Sequence, residues 1–267
     1  MQCKNCKKFF LLEKQENKTY PLKIILKAIS TYNLGYNLNQ VSKLMSVRCK
    51  LSIPISTISS WINEYREICT FARLRKEAAK LYNPKSIIFK KPLSHIQPYA
   101  FKCHKAKLCL LLKENPQFAA FKDYIEKISA KGFPHHIFTY PNQSNKQRAS
   151  QIKFNHLKIE IKSNNNLACK LASLALNLPN SNKQRHQSVQ DFMLVNDSTT
   201  IAVEVPVYLT NWDAGYYRSQ KGFIFPLSSY KTPITGHIDL LQIRNGIIHI
   251  LDYKPDAKNQ NPIEQLT

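Results

Sequence analysis

Two aspartates and a lysine near the end of the chain, Asp239, Asp252 and Lys254, are spaced so that a single turn would bring them together. Between the aspartates lies Asn245-Gly246, flanked by β-branched and apolar runs. Asn-Gly in that setting is the strongest short-range hairpin signal, because both central residues of a type I′ turn need positive φ. With these two as the loop, Arg244 pairs with Ile247. Counting outward then sets Asp239 opposite Asp252, with Lys254 two residues further along the same face. Opposed residues hold their Cβ atoms about 4.5–5.5 Å apart, where like charges repel. Two facing carboxylates beside a lysine make chemical sense with a divalent cation between them, as in the core of a metal-dependent phosphodiesterase.

Carboxylates also occur on the solvent face of hairpins, and Asp-x-Lys alone is common. Here, however, Leu241, Ile243, Ile248 and Ile250 share a face with the two aspartates, while Ile238, Leu240, Ile247 and Leu251 fill the other. Both strands therefore read as interior to a covered sheet. Acids pointing from such strands are costly unless paired or metal-bound.

At these residues the chain resembles a known family. Gly236-His-Ile-Asp239, a short hairpin, Asp252-Tyr-Lys254 and then Gln265-Leu266 resemble the RecB-like branch of the PD-(D/E)XK nucleases. The resemblance implies that Asp239 and Asp252 bind Mg²⁺ or Mn²⁺, with the Tyr253 carbonyl as a further ligand. Lys254 would position or activate the attacking water and stabilise charge at the phosphate. It carries over His186, in Asn182-Lys-Gln-Arg-His-Gln-Ser-Val-Gln-Asp, as a histidine completing the metal site. It also carries over Glu204, in Val203-Glu-Val-Pro206, and Gln265 as members of the catalytic set. The likeness spans the C-terminal part from Asn182 onward, with its elements in order. The family continues with a helical tyrosine and further structure, so a chain stopping at Thr267 is expected to be incomplete within its catalytic domain. Some relatives of that branch hold an iron–sulfur cluster. With its downstream cysteines absent, Cys169 is expected to be a small buried hydrophobe instead.

Composition agrees with a nucleic-acid partner. Lys and Arg number 39 against 17 Asp and Glu, giving a net charge of +22 over 267 residues. Such an excess is the electrostatic footprint of a polyanion binder, nucleic acid being the commonest. The positives are spread along the chain, and no stretch approaches the ~18 apolar residues of a membrane span, so a membrane partner is not expected. The apolar run at Phe9–Leu12 is too short for a signal peptide. Seven cysteines, odd and mostly isolated, suit a reducing cytoplasm better than a disulfide framework.

Cys3-x-x-Cys6 opens residues 1–19 as a basic tail and is half of a zinc knuckle; Cys49, Cys69, Cys103-His104 and Cys109 are the other candidate ligands, without confirming spacing. Residues 20–80 read as a helix-turn-helix DNA-binding domain. Pro21 begins a helix with Leu22, Ile24, Ile25 and Ile29 at helical spacing, Gly35 breaks it, and Leu38–Met45 forms a short second helix. Ser56 then N-caps a third, with Ile58, Trp61, Ile62 and Tyr65 inward and Ser56, Thr57, Ser59, Ser60 and Asn63 offered to the DNA groove. This segment also resembles the N-terminal DNA-binding region of insertion-sequence transposases.

Residues 81–150 are expected to be a helical spacer or insertion, with helices near Ala100–Leu112 and Ala119–Ala130, a loop at Lys90-Lys-Pro92, and His135-His136 as a loop pair. Residues 151–267 form the nuclease-like part. It has helices at Leu167–Leu176 and Asn182–Leu194, and a strand at Ile201–Leu209 whose Pro206 favours an edge or strand end. A loop follows over Asn211–Lys231, whose Trp212, Tyr216, Tyr217 and Phe223 could stack on bases or pack in a core.

The expected fold is therefore multi-domain α+β: a three-helix helix-turn-helix, a helical middle, and a restriction-endonuclease-like mixed α/β core. The expected activity is metal-dependent DNA hydrolysis, linked to mobile elements or repair. The alternatives are a DNA-binding regulator or inactive remnant, and a transposase-related protein.

Overall fold

The computed structural model describes residues 19–139, 166–181, 184–222 and 233–255. Cys3, Cys6, Phe223, Gln265 and Leu266 lie outside them. The chain is α+β and divides into two units, which it visits alternately. One holds the described residues through Ile87 and those from 166 to Ser198; the other holds Ile88 to 139 and Thr199 onward.

The first unit is helical: α1 (Leu22–Asn33), α2 (Leu38–Cys49), α3 (Ile55–Tyr65), α4 (Arg75–Leu81), α7 (Leu167–Ala175) and α8 (Arg185–Asn196). Ile25, Leu26 and Ile29 of α1, Val41 and Met45 of α2, and Ile58 and Trp61 of α3 are buried together as the core of a three-helix group. Tyr20 meets Trp61 edge-on at 5.2 Å between ring centroids. Between α1 and α2, Gly35 adopts φ +113°, which side chains resist. Asn37 and Gln40 then form a capping box at the start of α2, each bond 2.9 Å long. Arg75 closes the end of α1: its guanidinium donates to the carbonyls of Tyr32, Gly35 and Tyr36 at 2.7–2.9 Å and lies 4.0 Å over the Tyr32 ring. Buried Asn196 of α8 accepts from Asn33 and donates to Ser30, each at 2.9 Å, tying α8 to α1.

Two expectations need correction here. Helix α3 begins at Ile55 with Pro54 in the N-cap position, so Ser56 is an exposed first-turn residue and not the cap. Cys169 lies exposed on α7 and is no buried hydrophobe; Leu171 and Ala175 supply the buried side of that helix.

The second unit is a five-stranded sheet in the order β1 (Ile88–Ser94), β2 (Pro98–His104), β3 (Thr200–Leu209), β4 (Ile234–Arg244) and β5 (Ile247–Leu251). Every described ladder is antiparallel. Helices α5 (Lys105–Glu114), α6 (Ala119–Lys127) and α9 (Asn211–Lys221) belong to this unit. Leu108, Phe118, Ile125, Ile128 and Phe138 from the region between β2 and β3 pack with Phe101, Ile201, Val205, Leu241 and Ile243 of the sheet.

The segment expected to be a helical spacer thus supplies two strands. Lys90-Lys-Pro92 is strand β1, where a proline is tolerated because an edge strand need not donate on its open side. Residues Ala100–His104 are strand β2, and the helix starts only at Lys105. Pro206 fits a related rule. Strand β3 is internal, yet β2 pairs with it only at Ala202 and Val203, so Pro206 sits where β3 has β4 alone as neighbour.

Candidate metal centre

The β4–β5 hairpin forms in the register that its turn dictates. Asn245 and Gly246 have φ +52° and +72°, as a type I′ turn requires, and pairs run from Arg244–Ile247 to Leu240–Leu251. The next step outward is Asp239 and Asp252. Strand β5 stops at Leu251, three residues short of expectation, because the Tyr253 amide donates to the Asp239 Oδ2 at 3.0 Å instead of continuing the ladder. This bond folds the Asp-x-Lys segment over Asp239.

On its other side Asp239 meets Glu204. The flanking pairs Val203–Leu240 and Val205–Ile238 set Glu204 opposite Asp239, and carboxylate oxygens of the two lie within 4.8 Å. Three acids therefore stand in a row across three neighbouring strands, Glu204 on β3, Asp239 on β4 and Asp252 just past β5. Glu204 holds φ +52° inside a strand. A non-glycine residue in that region costs of order 1–3 kcal/mol and persists where its surroundings over-determine it. The strain falls on the residue that brings its carboxylate to Asp239.

The electrostatics follow from the crowding. Asp239 is only 9% exposed. Burial and then the Asp239 charge, with a hydrogen bond between the two carboxyls, raise the Asp252 pKa above the usual carboxylate range. Lys254 opposes that shift, its Nζ lying 3.1 Å from the Asp252 Oδ2. Asp252 in the folded chain therefore holds a proton more tightly than an isolated carboxyl does. A hard divalent cation takes oxygen ligands, and a crowded set of three carboxylates is the donor set that Mg²⁺ or Mn²⁺ prefers.

The hairpin's setting differs from the expected covered sheet. Leu241 and Ile243 of β4 are buried, but Ile247, Ile248 and Ile250 of β5 are 44–60% exposed. Strand β5 is the edge of the described sheet, and an edge strand exposes residues that an interior one buries.

A chain of imidazoles beside the carboxylates has no counterpart in the sequence reading. His237 lies two residues before Asp239 on the same strand, and its Nε2 is 2.7 Å from the His95 Nδ1. The other His95 nitrogen is 3.1 Å from His135 Nδ1, whose Nε2 is 3.1 Å from the Lys91 Nζ. Tyr99 stacks on His237 at 3.6 Å. Burial first, then the proximity of His135 and Lys91, lowers the His95 pKa to about 4, so this ring is neutral at pH 7. Lys91 can only donate and the Ile128 carbonyl, 3.1 Å from the same His135 Nε2, can only accept, so that nitrogen serves one of the two and the tautomers along the chain follow from which it serves. His95 spends its two nitrogens on different partners, so the three rings do not converge on one ion. His95 and His237 stand far apart in sequence, and only the pairing of strands brings them together.

The remaining candidates stand on other elements. His186 is in the first turn of α8, in the helical unit, with its Nε2 2.8 Å from Gln190 Nε2. Ser56, Ser60 and Asn63 are exposed on α3, while Thr57 and Ser59 are half-buried. Cys49, Cys69, Cys103 and Cys109 are free thiols and join no cluster of three metal-binding groups among the described residues. Burial raises the Cys69 and Cys103 thiols to about 12, so neither is a ready thiolate. Compared with protein-family models, curated proteins and solved structures, the chain matches none. Among the described residues no helix is long and apolar enough to cross a membrane.

Proposed function

We propose that this protein is a metal-dependent deoxyribonuclease of the RecB-like PD-(D/E)XK kind, carrying a helix-turn-helix DNA-binding module. The observation that carries the reading is the row of carboxylates on adjacent strands, Glu204, Asp239 and Asp252, with the Lys254 ammonium 3.1 Å from the last. A cluster of acids with one lysine is poorly suited to bind an anionic phosphodiester unaided, and well suited to hold a cation that binds it.

Glu204, Asp239 and Asp252 would hold Mg²⁺ or Mn²⁺, and the Tyr253 carbonyl and the His186 imidazole are proposed as further ligands. The ion supplies Lewis acidity and lowers the pKa of water. The Tyr253 amide fixes the Asp239 carboxylate, which frees the remaining lone pairs of Asp239 for the ion. Lys254, anchored on Asp252, would offer a positive charge to a phosphate oxygen that gains negative charge during attack. Exposed Ser56, Ser60 and Asn63 would meet the DNA groove together with Thr57 and Ser59, and the net charge of +22 would supply the phosphate attraction. Gln265 is proposed to complete the catalytic set, and Cys3 and Cys6 remain a proposed zinc pair.

The test is cleavage of DNA by the purified chain in Mn²⁺, compared with Lys254→Met. Loss of cleavage in the variant with Mn²⁺ binding retained supports the roles assigned. DNA binding without cleavage in any divalent metal would favour a DNA-binding regulator instead.

A further inference from the structure

Helix α9 leaves the end of β3 and presents aromatic rings to solvent. A loop was expected over these residues, but Thr210 and Asp213 form a capping box, with the Thr210 amide on Asp213 at 2.9 Å and the Asp213 amide on Thr210 at 3.1 Å. Gly222, at φ +68°, caps the other end. The helix is therefore specified by its own ends. Ala214 is its buried residue. At 100° per residue Trp212 and Tyr216, four apart, point away from the Ala214 side, and they are 81% and 51% exposed. Soluble proteins seldom leave an indole so bare, and an exposed aromatic with a stated orientation marks an interaction site more often than a scattered aliphatic does.

Three further features say what approaches. Gly215, between the two in sequence, lies on the flank beside Trp212, and a Cβ there would meet nothing within 4 Å. A helix-interior glycine weakens a helix, and no packing contact requires this one. It leaves the flank beside the rings unobstructed. Arg218 is exposed on the flank, and Asp213, the one acid of the helix, is engaged in the cap. The exposed surface of the helix thus carries aromatic rings and a cation without a competing carboxylate, on a chain of net charge +22. Finally, β3 itself connects the helix to the carboxylate row. Five steps lead from Glu204 to Leu209, so at roughly 3.3 Å per residue the strand ends about 17 Å from that acid, and α9 follows directly.

We propose that α9 is a stacking platform for unpaired nucleotides, with Trp212 and Tyr216 each taking a base face and Arg218 the backbone. The proposal rests on the nuclease reading for its purpose, which would be to hold a single strand that leads to the carboxylates. Bases in a duplex present only their edges, so a side-chain ring that stacks selects unpaired bases. An interfacial membrane helix is the rival for any short aromatic-basic segment, but those bury a broad face of leucine and phenylalanine, which α9 lacks.

The test uses the full chain in EDTA, so that cleavage cannot intervene, and a labelled oligothymidylate against a blunt duplex of equal length. Trp212 is the exposed indole and Trp61 the buried one, so oligothymidylate should quench the accessible emission. Trp212→Ala and Tyr216→Ala should each weaken oligothymidylate binding about 5- to 100-fold, in line with the loss of one stacked base. Duplex binding should change less than twofold. Quenching by anionic phosphatidylserine vesicles but not by oligothymidylate would overturn the proposal, as would equal loss of single-strand and duplex binding. Because no metal is present, failure here leaves the nuclease reading standing, and a catalytically dead chain that still quenches leaves this proposal standing.

Discussion

Replacing Asp252 by Asn separates the cost of crowded carboxylates from their use. At an effective dielectric of ~20, unit charges ~5 Å apart repel by about 3 kcal/mol. Lys254, 3.1 Å from Asp252, offsets most of this, and the Asp252 side chain is 26% exposed and further screened by water. About 1 kcal/mol of net repulsion should therefore remain at pH 8. In EDTA at pH 8, Asp252→Asn should be more stable than the parent by about 1 kcal/mol, worth roughly 2–4 °C in a unit of this size. The pH dependence has a definite sign. The folded-state pKa of Asp252 is raised, so the folded chain binds more protons than the unfolded one. Stability contributed at this site is present at acidic pH and falls as pH climbs from the ordinary carboxylate value through the raised one. The variant should lack that decline. Divalent cation reverses the ranking: Mn²⁺ at a hundred times its Kd should stabilise the parent by about 2.7 kcal/mol and the variant by much less. Thermal melts by circular dichroism at pH 5 and pH 8, with EDTA and with Mn²⁺, provide all four comparisons. An Asn variant less stable than the parent in EDTA, or equally stabilised by Mn²⁺, would refute the reasoning.

Lys254→Met should lower the Mn²⁺-dependent cleavage rate by about 10²–10³-fold, as removal of one preorganised charge does, with little change in metal affinity measured by calorimetry. Gly246→Ala should destabilise the second unit by about 1–2 kcal/mol, because φ +72° suits a residue without a side chain, and chemical denaturation would detect it. Trp61→Ala should cost ~3–5 kcal/mol, since that indole is 5% exposed and packed against Tyr20, and should unfold the three-helix group by circular dichroism. Duplex affinity measured by anisotropy should fall steeply with salt, with a slope of about −0.9 per phosphate contacted.

The hairpin was legible in the sequence because its information is local. Asn245-Gly246 fixes the turn, the turn fixes the register, and the register fixes which residues face each other. The helices α1 and α3 were legible for a similar reason: Ile25, Ile29, Ile58 and Trp61 recur at helical spacing, whichever neighbour buries them. What escaped depends on contacts distant in sequence. Lys90-Lys-Pro92 has the composition of a loop and becomes a strand only because Phe101 and its neighbours lie alongside. Strand β5 alternates as an interior strand does, yet its exposure is decided by its place in the sheet order. Glu204 was named through the family resemblance, but its positive φ and its position opposite Asp239 follow from the β3–β4 pairing. The helix α9 was hidden by Gly215 and by aromatics without apolar period, while Thr210 and Asp213 held its cap signal three residues apart.

The decisive measurement is the count of bound Mn²⁺ by electron paramagnetic resonance, in the parent chain and in Asp239→Ala. Asp239 stands between Glu204 and Asp252, so its loss removes the middle of the row. The parent should immobilise Mn²⁺ that Asp239→Ala does not, with both proteins folded by circular dichroism. Equal Mn²⁺ binding by the two folded proteins, or none by the parent at millimolar metal, would contradict the assignment of the three carboxylates as a cation site.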